Sequence, residues 1–86
     1  MQKIITKTGS YYEIKNGRWR KNGRGAWEAV WHADCVDRRE IASLGELRDT
    51  PRLPIQVGMS LYIGSMDSWW LSTEIVEIQE WADAED

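Results

Sequence analysis

The sequence contains one cysteine, two prolines and no phenylalanine among its 86 residues. A single cysteine, Cys35, excludes an internal disulfide bond. No apolar run approaches the roughly 18 residues that a membrane-spanning helix needs, and the residues after Met1 lack the apolar stretch of a secretion signal. These absences favour a protein of the reducing cytoplasm that makes no contact with a membrane.

The sequence also has few side chains that could bind a metal ion or catalyse a reaction. His32 is the only histidine, and a structural zinc site needs four ligands, so we predict no metal site and no cofactor. His32 and Cys35 are three residues apart, which in an extended segment places their side chains on opposite faces. The sequence offers no general base with an orienting partner, and we therefore expect that the protein is not an enzyme.

The chain is instead rich in tryptophan. An indole buries roughly 150–250 Å² and carries one N–H that needs a partner, whereas a domain of this size has only a modest core. Some of these rings should therefore lie on a surface that meets another molecule. The six tryptophans are Trp19, Trp27, Trp31, Trp69, Trp70 and Trp81.

Charge is unevenly distributed along a chain whose net charge is −3. Residues 1–25 carry seven lysines and arginines and one glutamate, whereas residues 26–86 carry four arginines and thirteen acidic residues. We favour mutual neutralisation of the two segments within the fold. The alternative is that the two segments present opposite charges to a partner.

Short segments of alternating polarity, separated by glycine turns, predict strands along most of the chain. Residues 3–21 form a three-stranded meander whose tightest turn, Asn16-Gly17, is the strongest two-residue hairpin signal. Residues 55–63 alternate most clearly, and residues 73–79 form the last strand. Residues 26–33 fit either a strand or a helix, and their aromatic content favours a strand.

One helix is predicted, over Asp37–Leu47. Its first residue is a capping residue with Glu40 three positions later, and Gly45 is a terminator. The two prolines within residues 48–54 predict an exposed connector, since proline cannot pair within a central strand.

The predicted fold class is therefore all-β with one short helix, arranged as a small antiparallel meander or partly open barrel. Residues 1–81 form this single domain. We expect residues 82–86 to form an acidic, frayed tail.

Residues 5–14 (ITKTGSYYEI), 55–63 (IQVGMSLYI) and 72–78 (STEIVEI) carry a resemblance to a known group. The chain resembles short, mostly uncharacterised proteins encoded by actinobacterial phages and their hosts. Those proteins begin with a threonine-rich strand followed by G-S-x-Y-E, continue to an apolar V-G-x-x-L strand and end on a T-x-x-V-x-x-I strand. The resemblance implies a small all-β protein of phage or prophage origin in the host cell cytoplasm, and it implies no activity.

The Trp69-Trp70 pair is the first candidate site. Neighbouring residues of a strand point to opposite faces, so one ring can enter the core while the other reaches a partner. Exposed tryptophan is enriched where interfaces concentrate their binding energy. The candidate protein-binding residues are Met66, Trp69, Trp70 and Trp81.

The basic hairpin is the second candidate site. Small β-barrels bind single strands with cations that meet phosphates and rings that stack on bases, although the acidic net charge of the whole chain weighs against this use. The candidate nucleic-acid-binding residues are Lys15, Arg18, Trp19, Arg20, Lys21 and Arg24.

From the sequence we expect a non-enzymatic phage or prophage accessory protein that binds another protein or its own copy, with interference with a host system as one such role. The alternative is a single-stranded nucleic-acid-binding small β-barrel that uses the basic hairpin. Copurification from a host lysate, with and without nuclease, separates these two hypotheses.

Overall fold

The computed structural model describes residues 1–65 and 68–80. The strands of this part form one antiparallel seven-stranded sheet that curls into a half-barrel, accompanied by one short helix, which confirms the predicted all-β class. The strands are β1 (Gln2–Thr6), β2 (Tyr11–Lys15), β3 (Arg18–Lys21), β4 (Glu28–Ala29), β5 (His32–Val36), β6 (Ser60–Gly64) and β7 (Trp69–Glu80).

The strand order is β4-β3-β2-β1-β7-β6-β5, so the first and last strands of the chain are neighbours inside the sheet. The curl brings the two edges together, because β4 ends at Ala29 and β5, at the opposite edge, begins three residues later. The Val30 N–H donates to the carbonyl of Gly17 (2.9 Å), and the Trp31 N–H donates to that of Gly64 (2.8 Å). The link between the edge strands is therefore bonded to both halves of the sheet.

Asparagine–glycine pairs make the turns of the N-terminal meander. Asn16 (φ 49°) and Gly17 (φ 72°) join β2 to β3, and their positive φ values are those of a type I′ hairpin turn. Asn22 (φ 56°) and Gly23 (φ 66°) repeat this conformation after β3. The predicted meander over residues 3–21 is confirmed.

The core lies on one face of the sheet. Alternate residues of β6, Leu61 and Ile63, point into it, and the remaining members come from β1, β2, β5 and β7. Leu53 and Met59, which precede β6, are half-buried and pack against the same cluster. The buried core residues are Ile4, Tyr12, Cys35, Leu61, Ile63 and Ile75.

The prediction of an exposed connector over residues 48–54 is wrong at two positions. Thr50 is buried, and Leu53 forms an isolated antiparallel bridge with Cys35, in which each N–H donates to the other's carbonyl at 2.8 Å. Proline prevents a continuous ladder but permits one bridge to an edge strand. The connector therefore covers part of the exposed edge of β5.

The predicted strand over residues 55–63 is correct only in its second half. β6 begins at Ser60, because the chain turns at Gly58, whose φ is 94°. Met59 is half-buried against the core, whereas Val57 is 56% exposed. The alternating pattern thus extends over a loop that packs partly on the core as well as over the strand that follows.

The predicted helix is present but shorter. Helix α1 spans Arg38–Leu44, and the carboxylate of Asp37 caps it by accepting a hydrogen bond from the Arg39 N–H (2.9 Å). Gly45, in the left-handed conformation (φ 83°), ends the helix. A 3₁₀ turn over Leu47–Asp49 follows.

Residues 26–33, for which the sequence favours a strand, contain β4 and the start of β5. A bend at Trp31 interrupts the alternation between these two strands.

The last strand, β7, begins four residues earlier than the predicted strand over residues 73–79, so Trp69 and Trp70 belong to the sheet. β7 pairs with β1 on one side and with β6 on the other. The described part of the chain holds no helix with the length and apolarity that crossing a membrane requires. The predicted site residues and tail that lie outside the described residues are Met66, Trp81 and residues 82–86.

Candidate functional site

Trp69 and Trp70 lie on opposite faces of β7, as strand alternation predicts. Trp70 pairs with Ile63, a core residue, whereas Trp69 pairs with Gly64 on the other side of the alternation. Trp69 is 60% exposed and Trp70 is 38% exposed. The register of β7 with β6 therefore identifies Trp70 as the inward ring.

Specific contacts hold Trp70 at the margin of the core. Its Nε1 donates to the hydroxyl of Tyr12 (2.9 Å), and the centroid of its ring lies 6.5 Å from that of Trp19. The Nζ of Lys21 lies 4.4 Å from the ring centroid, a cation–π arrangement. With its N–H bonded and its face covered, Trp70 contributes mainly to the fold.

Trp69 belongs to an aromatic row on the outer face of the sheet. Its ring meets that of Tyr62 edge-on with centroids 6.0 Å apart, and Tyr62 meets His32 in the same way at 5.0 Å. The guanidinium of Arg52 lies 4.2 Å from the Tyr62 ring centroid. Tyr62 is only 8% exposed, so Trp69 is supported at its base by a buried ring.

Gly64 leaves the space that the imidazole of His32 occupies in this row. His32 is its cross-strand partner, and a Cβ at position 64 would overlap the imidazole. An oxygen of Asp34 lies 3.8 Å from His32 Nδ1, and the other lies 3.6 Å from Arg52. Nδ1 of His32 and Oδ1 of Asp34 are buried without hydrogen-bond partners among the described residues. The row is therefore held by packing of the rings and by the cation of Arg52, which lies against Tyr62 and Asp34.

Trp31 is a second exposed tryptophan whose backbone, like that of Trp69, contacts Gly64. Trp31 is 67% exposed, and its backbone N–H donates to the carbonyl of Gly64, the residue that pairs with Trp69. The backbones of both residues therefore flank Gly64, and we call these two exposed tryptophans the Trp31–Trp69 surface. Sequence reasoning did not single out Trp31, because its bend breaks the strand pattern. The sequence did indicate that some of the six indoles must be exposed, because a domain of this size has too small a core to cover them all.

The six residues of the basic hairpin do not form one surface. Strand alternation places Trp19 and Lys21 on the core face, near Trp70. Arg24 is exposed in the turn after β3. The residues of the outer face are Lys15, Arg18 and Arg20.

The outer face of the hairpin contains a pocket that the sequence did not predict. Its volume is about 380 Å³, and it is lined by Lys15, Asn16, Arg18 and Trp27. Sequence reasoning placed Trp27 only as a residue of a predicted strand. Its position beside the hairpin depends on the pairing of β4 with β3, which no local pattern encodes.

The basic and acidic segments meet where β1 pairs with β7, and Ile5 is the partner of Glu77 there. The ion pairs between Arg20 and Glu13 and between Arg39 and Asp37 nevertheless each join residues of one segment. These cations are neutralised locally, whereas the sequence favours neutralisation between segments.

Cys35 and His32 lie on opposite faces of β5. Cys35 is buried in the core, where burial raises the pKa of its thiol and keeps it protonated and poorly nucleophilic. His32 packs on the outer face against Tyr62. Among residues 1–65 and 68–80, no three His, Cys, Asp or Glu side chains are placed to share a metal ion.

Comparisons of the chain with protein-family models, with curated proteins and with solved structures find no match. The resemblance to the phage group therefore rests on sequence motifs alone, and a phage origin stays a prediction. One motif is inexact: T-x-x-V-x-x-I requires isoleucine three positions after Val76, where this chain has Gln79.

Proposed function

We propose that the protein acts by binding another protein through the Trp31–Trp69 surface. The observation that carries this proposal is the indole of Trp69, which rests on the buried ring of Tyr62 and is still 60% exposed. Tryptophan is enriched among the few interface residues whose truncation costs about 2 kcal/mol or more. The surface therefore offers a preformed anchor for a complex.

The anchor is positioned by a strand. Trp69 pairs with Gly64 of β6, and the row of Tyr62 and His32 limits the movement of its ring. A side chain that is already ordered loses little conformational entropy on binding. We therefore expect the partner to provide an apolar pocket for one indole.

The surroundings of the anchor have the layout of an interface. Trp31 and Trp69 are both exposed, and their backbones flank the same glycine. Exposed apolar area concentrated in one region of a small protein marks an interaction site. Arg52 and Asp34 lie at the base of the aromatic row and supply charge close to it. Protein interfaces commonly combine an apolar centre with a charged rim.

The biological setting of this binding follows from the sequence resemblance alone. A phage or prophage accessory protein would direct the surface at a host protein, and interference with a host system is then its role. A second copy of the chain is the other protein partner that the same anchor accepts.

The proposal is tested by partner capture from nuclease-treated bacterial lysate, with sedimentation velocity to detect self-association. We expect a complex or a dimer that Trp69→Ala abolishes and Val57→Ala preserves, since Val57 is a comparably exposed apolar residue (56%) elsewhere. A complex that persists in both Trp69→Ala and Trp31→Ala contradicts the proposal. A monomer that captures no protein contradicts it as well.

A further inference from the structure

The pocket at the β2–β3 turn combines positive charge with an aromatic wall. Lys15 and Arg18 are pairing partners across the hairpin, so their side chains leave the same face on either side of the turn. Asn16 adds an amide, and Trp27 adds an indole. At about 380 Å³, the pocket has the size of a small-molecule site.

Trp27 is held in place from one side. The guanidinium of Arg20 lies 4.4 Å from the centroid of its ring. The Nε of Arg20 in turn donates to Oε1 of Glu13 at 2.7 Å, and Glu13 is 8% exposed. A buried carboxylate thus fixes the cation, and the cation orients an indole that is only half-buried.

The two cations of the pocket lack acidic partners within the part of the chain that the structure describes. Arg20 is paired there, whereas neither Lys15 nor Arg18 contacts a carboxylate. Like charges directly opposite each other across a strand pair are unfavourable. An anion bound between them would remove that repulsion.

We propose that this pocket binds a nucleoside phosphate unit, with the phosphate between Lys15 and Arg18 and the base stacked on Trp27. Arginine offers phosphate a planar fork of donors, and lysine offers a point charge. Stacking of a base on an aromatic ring is independent of sequence, because every base has a π-face. The unit occurs in single-stranded nucleic acid and in free nucleotides.

The acidic net charge of the chain is compatible with this site. Three of the six acids of the described strands lie on β7, and β1 and β2 separate β7 from β3. Of the acids beside β3, Glu13 is paired with Arg20, and Glu28 is the cross-strand partner of Trp19 on the other face of the sheet. Lys15 on β2 and Arg18 on β3 are therefore two and three strand spacings from β7, about 10 and 14 Å along the sheet, and both distances exceed the screening length of about 8 Å at physiological salt. The site also uses none of the residues of the Trp31–Trp69 surface, so the two proposals stand independently.

The experiment is a titration of a short fluorescein-labelled oligothymidylate, followed by anisotropy over a range of salt concentrations. Two phosphate contacts predict a slope of log K against log salt of about −1.4, at about −0.7 per contact for single strands. We expect Arg18→Ala to halve that slope. Trp27→Ala should leave the slope unchanged and weaken binding roughly 5- to 150-fold.

Arg24→Ala is the matched control, because Arg24 is an exposed arginine of the same hairpin region outside the pocket. It should change affinity by less than about twofold, since its only contribution is to long-range charge. Trp27→Phe guards against a folding defect, because it keeps a stacking ring and should retain most of the affinity. Circular dichroism of each variant checks the fold.

Competition experiments distinguish a free nucleotide from a nucleic-acid strand as the ligand. Displacement by thymidine monophosphate identifies a free nucleotide as the ligand, whereas displacement only by oligonucleotides identifies a strand, and both results support the pocket. Equal losses in Arg18→Ala and Arg24→Ala overturn the proposal. Displacement by inorganic phosphate as effective as that by nucleotide, or no binding at low salt, overturns it too.

Discussion

The adjacent indoles of β7 differ in what their rings and N–H groups contact. Trp70 donates to Tyr12 and lies under Lys21, whereas Trp69 rests edge-on against Tyr62 with most of its surface in solvent. The first arrangement connects β7 to β2 and β3. The second makes few contacts that unfolding would break, which leaves the ring available for binding.

Truncation should separate these two roles. Trp70→Ala should lower the free energy of unfolding by about 2 kcal/mol, less than the 3–5 kcal/mol typical of a fully buried ring, because Trp70 is 38% exposed. Trp69→Ala should lower it by less than about 1 kcal/mol, the scale of one edge-to-face contact. Urea denaturation measures both losses. Tyr12→Phe, which removes the acceptor of the Trp70 indole N–H, should lower the free energy of unfolding by about 1 kcal/mol. Equal losses for the two tryptophans would contradict this assignment.

The sequence predicts that Trp69 and Trp70 face opposite sides, but it does not predict which ring is inside. Alternation along a strand fixes only the relative orientation of neighbours. The absolute orientation depends on the partner strand, where Ile63 of the core lies opposite Trp70. Trp27 and Trp31 escaped prediction as site residues for the same reason, since strand pairing and a bend determine their surroundings.

Among the structural elements, helix α1 depends on a charged cap. Hydrogen bonds from the Arg39 side chain and backbone hold the pKa of Asp37 below its usual range. A lowered pKa in the folded state means that Asp37 contributes stability above its ordinary pKa of about 3.9 and loses it as the pH falls through the lower folded value. The cap should therefore weaken only in acid.

Asp37→Asn tests this cap, because asparagine keeps the acceptor oxygen and removes the charge. We expect the wild type to have the higher Tm at pH 7, and the difference between the two proteins should shrink as the pH falls below about 4. Thermal melts across this pH range measure the effect. A difference in Tm that is independent of pH would show that the charge of Asp37 does not stabilise the helix.

The pairing of β5 with β6 depends on the absence of a side chain at Gly64. In Gly64→Ala the added methyl group would overlap the imidazole of His32, and we expect a loss of about 1–3 kcal/mol, as in other overpacked sites. Adding His32→Ala removes the overlap, so the double variant should be more stable than Gly64→Ala alone. Chemical denaturation measures the free energy of unfolding of both variants. A double variant that is less stable than Gly64→Ala would contradict the overlap between position 64 and His32.

Elements whose signals are local were predictable from the sequence. The Asn16-Gly17 turn and the Asp37 and Gly45 ends of the helix follow from backbone preferences of single residues. The strand predicted over residues 55–63 is too long, because alternating apolar residues also occur in a loop that packs on a core. Only the turn at Gly58 distinguishes the two.

At the scale of the whole molecule, the fold brings the first and last described strands, β1 and β7, together in the middle of one curled sheet. The pairing of β1 with β7 joins Ile4 to Ile78, residues that are far apart in sequence, and such pairings leave no local signal. Composition nevertheless predicted one global property. A small core cannot cover this many indoles, and Trp31, Trp69 and Trp70 are indeed exposed large apolar residues.

The role of Trp69 is decided by comparing wild-type protein with Trp69→Ala in the affinity of the complex with the captured partner, or of the dimer. Because Trp69 contributes little to the fold and is proposed as the anchor, we predict a rise in Kd of at least about 30-fold, equivalent to about 2 kcal/mol. Tm should change by only a few degrees, and Val57→Ala should leave Kd within about twofold of wild type. A Kd for Trp69→Ala within about threefold of wild type would show that this exposed ring does not anchor a protein complex.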